Sequence, residues 1–189
     1  MKANRTANQL RIIAGRWRGR KLAFAAAPGV RPTPDRVRET LFNWLSPCIS
    51  GARCLDLFAG SGALGIEAAS RGASHVVLVD NDAVVVTQLR EQLGLLQASQ
   101  VDVVQANVDR WLAGHAKAFD IVFLDPPFRQ GLLPGCMAAL DAGGWLAANA
   151  TIYLEAERHY ELVLPAGWEL LRSKHAGQVD YHLARCVSG

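Results

Sequence analysis

Arg53-Cys54-Leu55-Asp56-Leu57-Phe58-Ala59-Gly60-Ser61-Gly62-Ala63-Leu64-Gly65 decides the fold. Arg53–Phe58 reads as a strand buried on both faces, which runs into a glycine-rich turn and then a helical stretch over Ala63–Ser70. Glycines are required there because a Cβ would obstruct both the tight turn and a close approach of backbone to ligand. Gly60, Gly62 and Gly65 spell G-x-G-x-x-G, which admits a nicotinamide or flavin dinucleotide. Asp56, four residues ahead of the first glycine, points to another ligand, since a carboxylate facing the turn repels a pyrophosphate and accommodates a cation. S-adenosylmethionine carries a sulfonium, an ammonium and no phosphate. Asp56 and the Phe58, Ala59, Gly60, Ser61 and Gly62 turn are therefore expected to hold that cofactor.

Working outward, His75–Val79, Val101–Gln105 and Phe119–Leu124 are further apolar or β-branched runs, with helical patterns at Ala83–Leu96, Val108–Ala113 and Leu132–Asp141. Strand and helix alternate as in an α/β, doubly wound, mostly parallel sheet. Trp145–Glu155, Trp168–Lys174 and Val179–Cys186 read as strands, with a short helical option between the first two and a tight turn between the last two. An antiparallel hairpin is thus expected to finish the sheet. Asp80 ends the second strand, where a carboxylate can accept both ribose hydroxyls of either cofactor type. Asn81, which follows it, is expected beside the cofactor too, and Asp82 is better placed to cap the next helix. Asn107, after the third strand, can reach an adenine through its amide or serve as a turn residue.

Asp125-Pro126-Pro127-Phe128 follows directly on the strand Phe119–Leu124. In such sheets ligands bind at the carboxyl ends of strands, and this strand is expected beside the first. Consecutive prolines fix the backbone and donate no hydrogen bonds, so carbonyls near Asp125 and Pro126 can point rigidly into a pocket. An aromatic amine is a poor nucleophile because its lone pair is delocalised into the ring. If the Asp125 carboxylate and the Pro126 carbonyl accept its N–H groups, the nitrogen can pyramidalise and align with a methyl donor. Phe128 would stack on a base that is flipped out or presented in a loop. Alone, a Pro-Pro turn is an ordinary stop; after the glycine loop and Asp80 it specifies amine chemistry.

The chain of 189 residues is half apolar, which suits one domain with a single core. It shows neither an apolar run of membrane-spanning length nor a secretory h-region, so a cytoplasmic protein is expected. Cys48, Cys54, Cys136 and Cys186 have no metal-site or disulfide spacing and are expected to be reduced, buried thiols, with no metal. The five histidines form no constellation with a nucleophile. Residues 1–40 hold ten Lys or Arg against two acids, a net +8, while the rest is −5. Such a segment suits phosphate binding, though a solvated tail would have the same charge. Within it, strands at Leu10–Ala14 and Lys21–Ala25 flank a turn at Gly15–Gly19. Trp17, set among Arg16, Arg18, Arg20 and Lys21, is expected to stack on a base. Residues 28–35 break the composition, dividing a basic extension (1–34) from the body (35–189), whose first helix Asp35 could cap.

Taken together, Arg11–Gly15, Arg31-Pro32-Thr33, Asp35–Phe42, the glycine loop, Asp125–Phe128 and Ala176–Val179 resemble the bacterial 16S ribosomal RNA guanine-N2 methyltransferases of the RsmD family, which modify the guanine at nucleotide 966. The likeness covers nearly the whole chain. It implies a seven-stranded sheet of order 3-2-1-4-5-7-6 and a substrate presented in small-subunit ribonucleoprotein. It also implies that Arg31, Thr33, Arg36 and Arg38 lie near the pocket entrance, the arginines on phosphate and Thr33 on the base or cofactor, with helix capping and solvated charge as the alternatives. Arg11 belongs with the RNA-binding arginines, Lys174 is a further substrate-binding candidate, and Glu155 is either a substrate contact or a surface acid. A small basic domain suggests a monomer. Amine methylation of DNA adenine or of protein, a nicotinamide-dependent oxidoreductase and a non-catalytic RNA-binding module remain as alternatives.

Overall fold

A computed structural model describes residues 8–24 and 33–187. Arg31 and the end of the second expected strand lie outside these residues. At the N-terminus, β1 (Asn8–Arg11) pairs antiparallel with β2 (Lys21–Phe24). β1 is shorter at its far end than the apolar run suggests. The amides of Ile13 and Ala14 leave the ladder to donate to the Glu67 carboxylate, at 2.8 and 3.0 Å. The intervening turn sits on Ser70, whose carbonyl accepts from Arg16 N at 2.7 Å and whose hydroxyl accepts from Trp17 N at 3.0 Å. Only glycine fits at position 15, where a Cβ would lie 1.8 Å from the Ser70 oxygen.

Trp17 is buried, with 4% of its surface exposed, so it does not offer a stacking face to a base. Its indole joins Leu10, Ile12, Leu22 and Phe24 in an apolar cluster shared with the body. Burying such a ring outweighs leaving it in water by roughly 2–3 kcal/mol, which is why it pins the hairpin instead of reaching outward. The hairpin of the basic extension is therefore packed onto the body by its apolar side.

The body begins with α1 (Asp35–Leu45), for which Pro34 stands at the N-cap without a side-chain hydrogen bond. Asp35 is the first helical residue, not the cap, and pairs with Arg38 and Arg11. Then follow β3 (Arg53–Asp56), α2 (Ala63–Ser70), β4 (His75–Asp80), α3 (Ala83–Leu96), β5 (Val101–Gln105), α4 (Val108–Leu112), β6 (Phe119–Leu124), α5 (Leu132–Ala142), β7 (Leu146–Glu157), β8 (Trp168–Ala176) and β9 (Val179–Cys186). The sheet order β5-β4-β3-β6-β7-β9-β8 is the one the resemblance implies. Its first five strands are parallel, and β9 and β8 close it antiparallel. The helical option between β7 and β8 is not taken; residues 158–167 form turns and irregular chain.

Each face of the sheet is covered. Side chains of α1, α2 and α3 pack with the hairpin on one side, and those of α4 and α5 on the other. This explains why the central strands read as unbroken apolar runs. Cys54 and Cys136 are buried in these layers and Cys186 is partly buried, but Cys48 is exposed, contrary to the expectation of four buried thiols.

Candidate active site

β3, β4 and β6 end side by side, and the glycine loop, Asp80 and Asp125 meet at their carboxyl ends. Asp80 organises the loop: one carboxylate oxygen accepts from Gly60 N and the other from Asp82 N, both at 2.9 Å. Each oxygen keeps a lone pair for a ribose hydroxyl. Asp82 caps α3 by accepting from Val84 N and Val85 N. The exposed Asn81 lies between them, Ala59 N donates to Val79 O at 2.9 Å, Phe58 is partly buried and Ser61 is buried. Gly65 marks a close approach of helix to sheet, for a Cβ there would lie 2.1 Å from a Leu78 methyl and 3.3 Å from the Asp56 carboxylate.

Asp56 itself accepts from Gly65 N at 3.0 Å and is 2% exposed. Burial pushes its carboxyl up to about 7, helped by the charges of Asp80 and Glu155 and opposed by the backbone N–H groups of Gly65 and Phe58. Among the described residues no Lys or Arg pairs with it. The missing positive charge is what a sulfonium or ammonium group brings, so the chemistry of this donor set fits S-adenosylmethionine and opposes a pyrophosphate.

Asp125 stands one residue beyond the Leu124–Leu154 register pair of β6 and β7, which places Glu155 beside it on the neighbouring strand. No protein donor among the described residues reaches the Asp125 carboxylate. Desolvation raises its proton affinity well above the ordinary carboxylate range, with Glu155 and Asp56 adding to the effect. Pro126 is buried, Pro127 exposed, and Phe128 is 37% exposed at the rim, where its ring can meet a base.

Glu155 is buried at 5% exposure, so the surface-acid alternative does not hold. One of its oxygens accepts from Tyr153 Oη at 2.7 Å and from Thr33 Oγ1 at 3.2 Å. Thr33 thus reaches the pocket end of the sheet, with its hydroxyl given to Glu155. Tyr153 was not among the sequence candidates; it lies two residues before Glu155, hence on the same face of the strand. Glu67 was also missed. A lone acid in the apolar stretch Ala63–Ser70 signals a buried partner, and it is fully buried with Arg38 and Arg71 upon it.

Arg38 is corrected by the same contact. Its side chain is fully buried, held by Glu67, Asp35 and the Arg11 carbonyl, and cannot reach a phosphate. Asn107 caps α4 by accepting from Arg110 N at 3.2 Å, and its amide NH2 remains as a donor to a ligand. Arg11 and Arg36 are exposed near the start of α1. Lys174 shares a register row with Tyr181 and Glu155, two strands from the latter, and lies 6.0 Å from the Trp44 ring. Arg16, Arg18 and Arg20 are exposed but sit beside Ser70 and Gln97, at the carboxyl ends of α2 and α3. That is the opposite end of the sheet from Asp125, at least the length of α2, roughly 12 Å, from the glycine loop.

A family model described as "Conserved hypothetical protein 95" matches residues 10–185. Ribosomal RNA small subunit methyltransferase D of Escherichia coli (strain K12) is 53% identical over 176 residues, which is 93% of this chain and 89% of that protein. Its namesake in Haemophilus influenzae is 46% identical, covering 93% of each. A solved structure called "Putative methyltransferase yhhF from Escherichia coli" superposes with a TM-score of 0.89 at 51% identity, over 96% of this chain and 100% of that one.

Proposed function

The chain belongs to the Conserved hypothetical protein 95 family, alongside the small-subunit ribosomal RNA methyltransferases D, and from that premise we propose that it methylates the exocyclic N2 amine of a guanine in 16S ribosomal RNA, at nucleotide 966. S-adenosylmethionine, when bound, supplies an electrophilic methyl group. The nicotinamide alternative is set aside with the family assignment and the charge of Asp56.

The observation that carries the reading is the Asp125 carboxylate, which meets no donor among the described residues, on a proline-stiffened turn beside the glycine loop. Asp125 and the Pro126 carbonyl accept the two N–H groups of the target amine, turning its lone pair toward the methyl donor. As the nitrogen gains a fourth bond it must lose a proton, and the raised proton affinity of Asp125 suits it to take that proton. Phe128 stacks on the extruded base. Asp80 holds the ribose hydroxyls of the cofactor, the Phe58–Gly62 turn its amino-acid portion together with Asp56, and the Asn107 NH2 its adenine. Thr33 acts through Glu155, while Arg11, Arg36, Lys21 and Lys174 contact RNA around the pocket. The RNA is met within small-subunit ribonucleoprotein in the cytoplasm, and the chain acts as a monomer.

Incubation with tritiated S-adenosylmethionine and small-subunit particles lacking the modification is expected to label a single guanine of 16S RNA. Label confined to DNA or protein would overturn the reading. Asp125→Ala is expected to keep S-adenosylhomocysteine affinity while turnover drops by roughly 10²-fold or more. Unchanged turnover would remove Asp125 from the chemistry and favour the non-catalytic RNA-binding alternative.

A further inference from the structure

Two carboxylates stand side by side at the carboxyl ends of β6 and β7, with no cationic side chain among the described residues paired to either. Asp125 and Glu155 follow the last register pair of these strands, Leu124 with Leu154, so their backbones lie about one strand spacing apart, roughly 4.8 Å. Burial raises the proton affinity of both, and the Glu155 charge raises that of Asp125 further, whereas the Tyr153 and Thr33 hydrogen bonds favour the ionised form of Glu155, as would N–H donors of an entering base at either carboxylate. The two differ in how they are held. Asp125 meets no protein donor among the described residues. Glu155 is fixed through a single oxygen, Oε1, on which the Tyr153 and Thr33 hydroxyls converge. Its other oxygen receives no hydrogen bond from the described residues. A buried carboxylate oriented by one oxygen leaves the other as a rigid, directional acceptor.

We propose that Glu155 is the residue that selects guanine, its second oxygen accepting the base N1–H while Asp125 accepts the adjacent N2 amine. This rests on the guanine-N2 reading above and adds to it the residue that chooses the base. The chemistry of the bases makes the assignment. In guanine the exocyclic amine neighbours a ring N–H, so two donors lie side by side on one edge. In adenine and in cytosine the ring nitrogen next to the amine is a lone pair. Against Glu155 that lone pair faces a carboxylate oxygen, unpaired and repelled, so a paired-carboxylate site admits the amine of guanine and rejects the other two. Tyr153 and Thr33 are positioning residues, since they touch Glu155 and not the base.

The test uses small-subunit particles carrying either guanosine or 2-aminopurine riboside at the target position. 2-Aminopurine keeps the N2 amine but has a lone pair at N1. The unaltered protein is expected to favour guanosine by roughly 10-fold or more in kcat/KM, the worth of one charge-assisted hydrogen bond. Glu155→Gln retains an oxygen for Tyr153 and Thr33 and replaces the other with an NH2 donor. It is expected to lose at least 10-fold on guanosine while holding or gaining on 2-aminopurine, so that the preference collapses or inverts. The ratio of the two substrates does not depend on how much of the variant is folded. Equal losses on both would show that Glu155 only supports the fold, and an unchanged ratio would likewise overturn its role. Asp125→Ala is expected to depress both substrates alike. If the unaltered protein labels no guanine in the particle, the functional reading itself fails; labelling of guanine with an unaltered Glu155→Gln ratio removes only the inference.

Discussion

Asp56 keeps a carboxyl group buried with two other acids in range and no cation among the described residues to offset them, and its protonation must therefore respond to pH and to ligand together. Its proton is held up to about pH 7 in the folded chain, against 3.8 for an ordinary carboxyl. Folding accordingly takes up a proton between those values, and stability falls as pH rises through that window. The effect of the Asp56 shift is on the order of a few kcal/mol, and the raised Asp125 and Glu155 carboxyls act in the same direction. The cofactor-free protein should have a higher Tm near pH 5 than near pH 8, and Asp56→Asn should flatten part of that slope; a Tm that climbs over the same range would contradict the burial argument. The ligand response runs the other way. S-adenosylhomocysteine brings an ammonium that favours ionised Asp56, so its affinity should tighten as pH passes through 7, which calorimetry in two buffers would read as proton release. Asp56, Asp80 and Asp125 were all legible in the chain because each lies at or near the end of a strand-like run that leads into a turn. That Asp125 stands beside a second acid was not, because Glu155 comes to it from a strand far along the chain, paired only in the folded sheet.

The elements were legible wherever a local signal ends them. α2, α3, β5, β6 and β9 fall where periodicity, capping by Asp82 and the glycine turn place them. The misreadings arise where a distant group competes. β1 stops early because Glu67 captures the Ile13 and Ala14 amides, and Trp17, read as exposed from its charged neighbours, is drawn into the core by an apolar cluster that no local window contains. α2 thus joins the cofactor loop at one end to the hairpin along its length. Glu67→Ala leaves Arg38 buried without its fully buried anion and two hairpin amides unpaired, and should cost about 3–5 kcal/mol in urea unfolding. Limited proteolysis should then cut within residues 8–24 before the body, whereas simultaneous loss of both would show that hairpin and body unfold as one. Gly65→Ala acts at the other end: the added methyl meets the Leu78 side chain and the Asp56 carboxylate, so this buried contact must repack, at about 1–3 kcal/mol, and S-adenosylhomocysteine affinity should fall with it.

Across the whole molecule the charge is divided by place as well as by sequence. The net +8 of the first forty residues was visible from composition, but composition could not say where folding would put it. The turn carrying Arg16, Arg18 and Arg20 is fastened by Ser70 to the end of the sheet away from Asp125, around an open cavity of about 520 Å3 that also meets Gln97. No acid among the described residues pairs with these three arginines, and Arg16 lies over the Trp17 ring, 5.7 Å from its centroid. If the turn binds RNA, it does so remote from the reacting amine and contributes equally before and during methyl transfer, so its removal should raise KM without lowering kcat. Replacing all three arginines with alanine should weaken binding to the small-subunit particle and reduce the slope of log affinity against log salt by roughly 0.7–0.9 for every phosphate that is no longer neutralised. A short RNA hairpin bearing only the target guanine cannot span to the turn and should bind both proteins alike. If kcat falls at saturating substrate, or the salt slope is unchanged, the arginines act at the pocket or on the fold instead, and the extension does not hold RNA at a distance from the site.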